Sequence, residues 1–225
     1  MPLLTEIAVI IICYAIGCFS PGYWLVRWRT GDDVRDHKSG STGARNVGRR
    51  LGRKWAVTTF ALDAAKGMAA VALARWLGMT GWALAATLPV VVSGHVWPVQ
   101  MQLRGGRGLS TAFGAALVLA PLIPLGVVAL AALLTALTRR ISASVLVAIV
   151  PAPLIGAIGG APPATIASVA TTIVIVLFAH RTMIRAMIVR RSSASATGLV
   201  GRGDDAGSAG PAASGAPVPP KGPAR

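Results

Sequence analysis

Residues Gly94–Gly114 read GHVWPVQMQLRGGRGLSTAFG. An apolar run leads in, Arg104 and Arg107 bracket the pair Gly105-Gly106, Gly108 follows, and an apolar helical pattern resumes at Leu109. Glycines let backbone N–H groups approach an anion closely, and a helix starting there adds the positive end of its dipole. Two arginines supply forked, permanently charged donors suited to phosphate or carboxylate. The plainer reading is a tight turn between two helices, its arginines anchoring a cytoplasmic loop. A P-loop is disfavoured, because the Gly-x-x-x-x-Gly-Lys-Ser/Thr spacing is absent and no strand is expected before it.

Composition narrows the class. The 225 residues are 54% apolar with a mean hydropathy of +0.65, yet carry a formal charge of +15. A polytopic membrane protein with basic cytoplasmic loops combines these naturally; a soluble domain seldom does. The basic residues sit in short clusters between apolar spans, which points to the bilayer and away from nucleic acid. Cys13 and Cys18 both lie in the first apolar run, match no metal motif, and read as packed thiols. No basic residue precedes that run and arginines follow it from Arg27 onward. This order predicts an uncleaved first helix with its N-terminus outside.

In chain order the expected spans are Leu3 to about Trp28, Trp55 to about Leu77, and Thr80 to about Leu103. The apolar stretch Leu109 to Leu137 is too long for one ordinary span and short for two. Charge parity favours two short spans breaking around Pro121 and Pro124, since only that arrangement keeps Arg139-Arg140 and the His180–Arg191 segment on one side. Ile141 to about Ile158 and Pro162 to Phe178 complete an all-α integral membrane protein of seven transmembrane helices, two of them short, with the N-terminus outside and the C-terminus cytoplasmic. Residues 1–191 form the membrane domain. Residues 192–225, rich in Ala, Gly, Ser and Pro, cannot bury apolar surface and are expected to be a disordered cytoplasmic tail.

Three cytoplasmic segments then hold the polar chemistry: 29–54, 104–111 and 180–191. The first is long for a connector and carries Ser39-Gly40-Ser41-Thr42-Gly43, with Asn46 and Arg49 three apart beyond it. The third contributes His180, Arg181 and Arg185. Small donors, glycines and arginines are what an anion pocket at a membrane face requires. Asp63 and Lys66 share a helix face inside an apolar run, as either a structural ion pair or part of a site.

These residues also fall into ordered motifs. Asp33-Val34-Arg35 precedes Ser39-Gly40-Ser41-Thr42-Gly43-Ala44-Arg45-Asn46-Val47-Gly48-Arg49. Asp63-Ala64-Ala65-Lys66-Gly67, Gly94-His95-Val96-Trp97-Pro98-Val99 and Arg104-Gly105-Gly106-Arg107-Gly108 follow, then His180-Arg181-Thr182-Met183-Ile184-Arg185. Together, over about residues 8–188, they resemble the bacterial acyl-phosphate-dependent glycerol-3-phosphate acyltransferases, the PlsY family. Ser41, Arg45, Arg107 and Met183 stand where that family prefers Asn, Thr, Lys and Asn, and its Gly-x-Glu after the last motif is missing.

The resemblance implies a seven-helix enzyme of a bacterial plasma membrane with its site loops on the cytoplasmic face. It implies transfer of a fatty acyl group from acyl phosphate to the 1-hydroxyl of glycerol 3-phosphate, without metal or cofactor. Carried over residue by residue, Ser39, Arg49, Arg107 and His180 are the expected catalytic residues. Asn46, Lys66, His95, Arg104, Gly105, Gly106 and Gly108 are the expected substrate-binding residues. The general base stays open, because none of His37, His95 and His180 is followed five positions later by Asp. A weakened or repurposed paralogue accounts for Met183 and the missing Glu. A small-molecule transporter accounts for Asp63 and Lys66, although the remaining spans are nearly pure Ala, Val, Leu and Ile.

Overall fold

The computed structural model describes residues 2–187, and the described residues hold helices and two 3₁₀ turns with no strand. The helices are α1 (Leu3–Cys18), α2 (Pro21–Thr30), α3 (Ala44–Leu51), α4 (Arg53–Trp76) and α5 (Gly81–Val96), then α6 (Leu109–Leu119), α7 (Leu122–Thr138), α8 (Ile141–Ala148), α9 (Ala152–Ile158) and α10 (Pro163–Ala179). The chain divides into two compact units, Met1–Thr182 and Met183–Arg225. All ten helices lie in the first. The described part of the second, residues 183–187, is helical. The expected tail, 192–225, lies outside the described residues.

Three stretches are long and apolar enough to cross a bilayer: Leu3–Thr30, Arg53–Trp76 and Gly81–Met101, with 28, 24 and 21 residues. Helices α6 and α7 are apolar and shorter, separated at Ala120-Pro121 as expected. The segment read as a single span from Ile141 is broken instead. Helices α8 and α9 meet at a 48° bend around Val150-Pro151, where proline cannot donate to the preceding turn. The outward-facing surface is apolar in the manner of a lipid-facing one, with Leu4, Ile11, Leu137 and Ile158 all exposed. Trp28 and Trp55 stand at one end of the bundle and Trp76 and Trp82 at the other, as amphipathic rings do at two interfaces. Between the first pair, the Arg29 guanidinium lies 5.9 Å from the Trp28 ring and 5.1 Å from that of Trp55.

With no water in hydrocarbon, each carbonyl that a proline leaves unpaired needs another donor. Pro21 removes the N–H that would have bonded Gly17 O, and Lys66 Nζ of α4 donates to that oxygen at 3.1 Å and to Phe19 O at 2.5 Å. Gln100 Nε2 donates to Cys18 O at 2.7 Å. Pro89 removes the donor to Ala85 O, and Ser168 Oγ of α10 takes its place at 2.6 Å. Two carbonyls left unpaired by proline are thus converted into cross-helix ties.

Close approach does the remaining work. A Cβ on Gly17 would lie only 3.1 Å from Gly94 Cα, and one on Gly67 only 3.0 Å from Ala115 N. Backbone-to-backbone packing of α1 on α5 and of α4 on α6 suits a solvent that supplies no hydrophobic drive between helices.

The third proton of Lys66 goes to His95 Nδ1 of α5 at 2.8 Å, which places the ring proton on Nε2. Asp63 Oδ1 lies 3.0 Å from Lys66 Nζ and 3.4 Å from His95 Nδ1. All three ammonium protons are already committed, so the carboxylate balances charge without receiving a hydrogen bond at that oxygen. Lys66→Met leaves Asp63 as an uncompensated buried charge and should cost about 3–5 kcal/mol. Thermal unfolding in detergent should show Lys66→Met melting well below wild type, with Asp63→Asn/Lys66→Met in between. Unchanged melting of the single variant would make the pair incidental.

Candidate active site

Two loops and two helix ends converge on one side of the bundle. The first loop runs from Gly31 to Gly43 and is shaped by two polar devices. Asp33 receives Arg35 through both carboxylate oxygens, with Arg35 Nε at 3.0 Å from each and Nη2 at 2.6 Å from Oδ2. The same guanidinium donates to Met101 O at 2.9 Å and lies 5.4 Å from the Tyr23 ring, so it pins the loop to the 3₁₀ turn Val99–Met101 that follows α5. The Arg35 hydrogen bonds hold the Asp33 carboxyl below its ordinary range. The clip therefore persists above the ordinary carboxylate pKa and loosens only as pH falls through that depressed value. Asn46, buried at the start of α3, is the second device. Its Nδ2 donates to Val34 O, His37 O and Ser41 O at 2.8, 3.1 and 2.9 Å, and its Oδ1 accepts from Ser39 N at 3.5 Å. The Asn46 amide is thus spent on the loop's main chain.

The second loop, residues 102–108, is folded back onto α5. Gly105 N donates to Val96 O at 3.1 Å and Gly106 N to His95 O at 3.0 Å, while Gly105 O accepts from Thr42 N at 3.3 Å. The glycine pair therefore does not turn its N–H groups to an anion, as the sequence suggested. Its smallness serves packing: a Cβ on Gly106 would fall on the His95 ring. The available helix start is that of α6, which begins at Leu109 after Gly108 turns the chain at φ +85.

Around that helix start the cations gather. Arg107 is half-buried and its Nη2 donates to Ser39 O at 3.5 Å. Burial, then the charges of Arg45 and Arg49, lower the Arg107 pKa from its ordinary value. The two latter arginines stand four apart on α3 and so share a face. Buried His180, at the end of α10, is close enough to feel the Arg107 charge. Its Nδ1 lies 2.8 Å from Val176 O, a carbonyl that can only accept, so Nε2 keeps the lone pair. In the first loop Asp33 pairs with Arg35, and Asp32 with Arg50 and, at 3.8 Å, His37. Three like-charged guanidinia around one spot repel unless an anion lies between them.

Beside this cluster opens an apolar cavity of about 270 Å³, lined from Leu109 and Val176 inward by residues that include Phe60, Phe113, Ile123 and Val169. Arg107 and His180 each lie within about one helical turn of a lining residue, Leu109 and Val176. The arrangement can hold a molecule with an anionic head and an apolar chain.

Of the expected site residues, Ser39, Arg49, Arg107, Gly108 and His180 come together. Ser39 Oγ lies 3.1 Å from Ser41 Oγ. Lys66 and His95 are buried between helices, and Arg104 is exposed, its charge acting on Asp33. Arg45 was legible only as a departure from a motif; its four-residue spacing from Arg49 was the available signal. Among the described residues no group of three His, Cys, Asp or Glu side chains is arranged to hold a metal.

The family model described as glycerol-3-phosphate acyltransferase matches residues 7–190. The chain belongs to this family. Glycerol-3-phosphate acyltransferase 1 of Desulfitobacterium hafniense (strain Y51) is 37% identical over 189 residues, covering 84% of this chain and 94% of that one. The Parasynechococcus marenigrum (strain WH8102) glycerol-3-phosphate acyltransferase is 34% identical over 83% of this chain and 88% of its own. Among solved structures, PlsY (YgiH), an integral membrane glycerol 3-phosphate acyltransferase, superposes in its glycerol 3-phosphate form with a TM-score of 0.77 at 28% identity, covering 83% of this chain and 94% of that one. Its lysophosphatidic acid form superposes with a TM-score of 0.74 at 26% identity. The protein is thus a membrane acyltransferase of phospholipid biosynthesis.

As a member of the glycerol-3-phosphate acyltransferases, the chain should depend on its paired arginines. Arg49→Ala and Arg107→Ala should each lower turnover on the order of 10²-fold, because each removes a fixed donor for developing charge. Arg107→Lys, which keeps the charge, should be much milder. Near-native kcat/KM in both alanine variants would reduce these arginines to topology anchors.

Proposed function

We propose that the chain transfers a fatty acyl group from acyl phosphate to the 1-hydroxyl of glycerol 3-phosphate, giving lysophosphatidic acid and inorganic phosphate. The observation that carries this is the meeting of the Arg45–Arg49–Arg107 cluster with an apolar cavity at the start of α6. A fatty acyl phosphate has that same polarity, an anionic head on an apolar chain. The glycerol 3-phosphate and lysophosphatidic acid forms of PlsY support the acceptor and the product.

The 1-hydroxyl oxygen attacks the acyl carbonyl, the bond from the acyl carbon to the phosphate oxygen breaks, and phosphate departs with the bonding pair. Phosphate is a good leaving group, so the chain's task is to hold two anions and aim one hydroxyl. Arg49 and Arg107 hold phosphate oxygens with forked donors, and the first turn of α6 adds its positive end. Ser39 presents its hydroxyl beside Arg107. Among the described residues its hydroxyl is hydrogen-bonded to the Ser41 hydroxyl and not to an imidazole, which favours direct transfer over an acyl-serine. His180 Nε2 can take up the hydroxyl proton. Asn46, Lys66, His95, Gly105 and Gly106 act as positioning residues, because their polar or backbone groups are committed within the fold. Gly108 turns the chain into α6, and Arg104 acts at the rim.

The same reading includes the membrane arrangement: seven spans over residues 1–191, with the N-terminus outside. The site loops then face the cytoplasm of a bacterium, as does the segment from residue 192. Cysteines placed singly beyond Ser192 should resist an impermeant reagent in intact cells and react after permeabilisation. Labelling from outside would overturn the span count.

Purified protein assayed side by side with acyl phosphate, acyl-CoA and acyl carrier protein as donors tests the reaction. Turnover of glycerol 3-phosphate should require acyl phosphate. Equal use of a thioester donor, or preference for another acceptor, would overturn the assignment.

A further inference from the structure

We propose that Ile123 is the floor of the acyl cavity and sets the length of acyl chain the enzyme accepts, an inference that rests on the acyltransferase reading above. One end of the cavity lies beside the arginines. Leu109 opens α6 next to Gly108, where a Cβ would lie 2.9 Å from Val92 Cγ1 and 3.2 Å from Val176 Cγ2. Along α6 the lining runs from Leu109 to Ala116, and along α10 from Val176 back to Val169. Seven residues of helix rise ~10 Å. Helix α6 continues to Leu119, and the chain turns at Ala120-Pro121 before Ile123 enters the lining from the first turn of α7. Ile123 therefore sits at the end of the cavity away from the arginines, ~10–15 Å from Leu109. Half of a hydrocarbon core ~30 Å thick is ~15 Å, so a chain cut to membrane length reaches this floor.

The floor is held from behind. Ile123 is 3% exposed and packs on Gly156 of α9, where a Cβ would lie 2.8 Å from Ile123 Cδ1. The contact is reciprocal along the two helices, since a Cβ on Gly126 of α7 would lie 3.0 Å from Ile155 Cγ2 of α9. Gly156 is absent from the cavity lining, yet it is the surface on which the end of Ile123 rests. Smaller side chains at position 123 deepen the cavity. A methyl at position 156 makes the tip of Ile123 yield; with α9 behind it, the free direction is toward the cavity, which becomes shallower.

The test is a chain-length profile of kcat/KM with saturated acyl donors of stepped length, in wild type, Ile123→Val, Ile123→Ala and Gly156→Ala. Each buried methylene is worth ~4-fold. Ile123→Ala should raise the ratio of the longer to the shorter donors roughly tenfold and Ile123→Val by a few-fold, while Gly156→Ala should lower it. Because the readout is a ratio within one preparation, partial loss of folded enzyme does not change it, and the valine variant stands if the alanine variant does not fold. An unchanged profile in Ile123→Val and Gly156→Ala, or a shift of both in the same direction, overturns the assignment of Ile123. The profile is read with whichever of acyl phosphate, acyl-CoA or acyl carrier protein supports wild-type turnover. A wild type that uses only a thioester therefore overturns the donor assignment while the opposed shifts still uphold the floor. A wild type inert toward every donor overturns both.

Discussion

The structure depends on one buried ammonium. Lys66 lies in a span where an unpaired charge is costly, and its three protons are shared among Gly17 O, Phe19 O and His95 Nδ1, with Asp63 balancing the charge. Remove it and two needs go unmet together: a carboxylate without counter-charge and a helix break without donors. Because the break after α1 leads directly through α2 into the first site loop, this one side chain connects the membrane interior to the placement of Ser39. Through His95, whose ring packs on Gly106, it also reaches the loop that carries Arg107.

The same economy appears within α5 and at its end. Pro89 is answered by Ser168, and the carbonyl end of α5 by the N–H groups of Gly105 and Gly106. In water such groups could be left to solvent; in hydrocarbon they must be closed within the protein. Much of the polar character of the family motifs is thereby explained as structure. Asp33 and Arg35 clip a loop, Asn46 gathers four main-chain groups, and the glycine pair admits an imidazole. The cations Arg45, Arg49 and Arg107 meet at one helix start.

That residue of positive charge, set against an apolar cavity, is what gives the site its chemistry. Acyl transfer to a phosphorylated acceptor asks the protein for a good deal of charge stabilisation. Arginines supply it permanently at any physiological pH. The departures Arg45 and Arg107 add to this character, the first by bringing a further cation to the α3 face, the second by replacing a point charge with a planar fork.

Helical class, apolar segments and the break at Pro121 were legible in the sequence, because period, proline and charge clusters are local properties. So were the arginines and serines of the loops, through motifs that are contiguous in the chain. The pairing of Lys66 with Asp63 was visible as a three-residue spacing, but its ties to Gly17, Phe19 and His95 were not, since they join positions up to 49 residues apart. Nor could spacing show that Gly105 and Gly106 point inward, or that Leu109, Ile123 and Val176 share one cavity. Those facts depend on how the helices pack against each other, and helix packing joins residues whose separation along the chain carries no periodic signal. Residue types and their local order belonged to the sequence alone. Which polar atoms are spent and which are left facing the site was decided only by the tertiary structure.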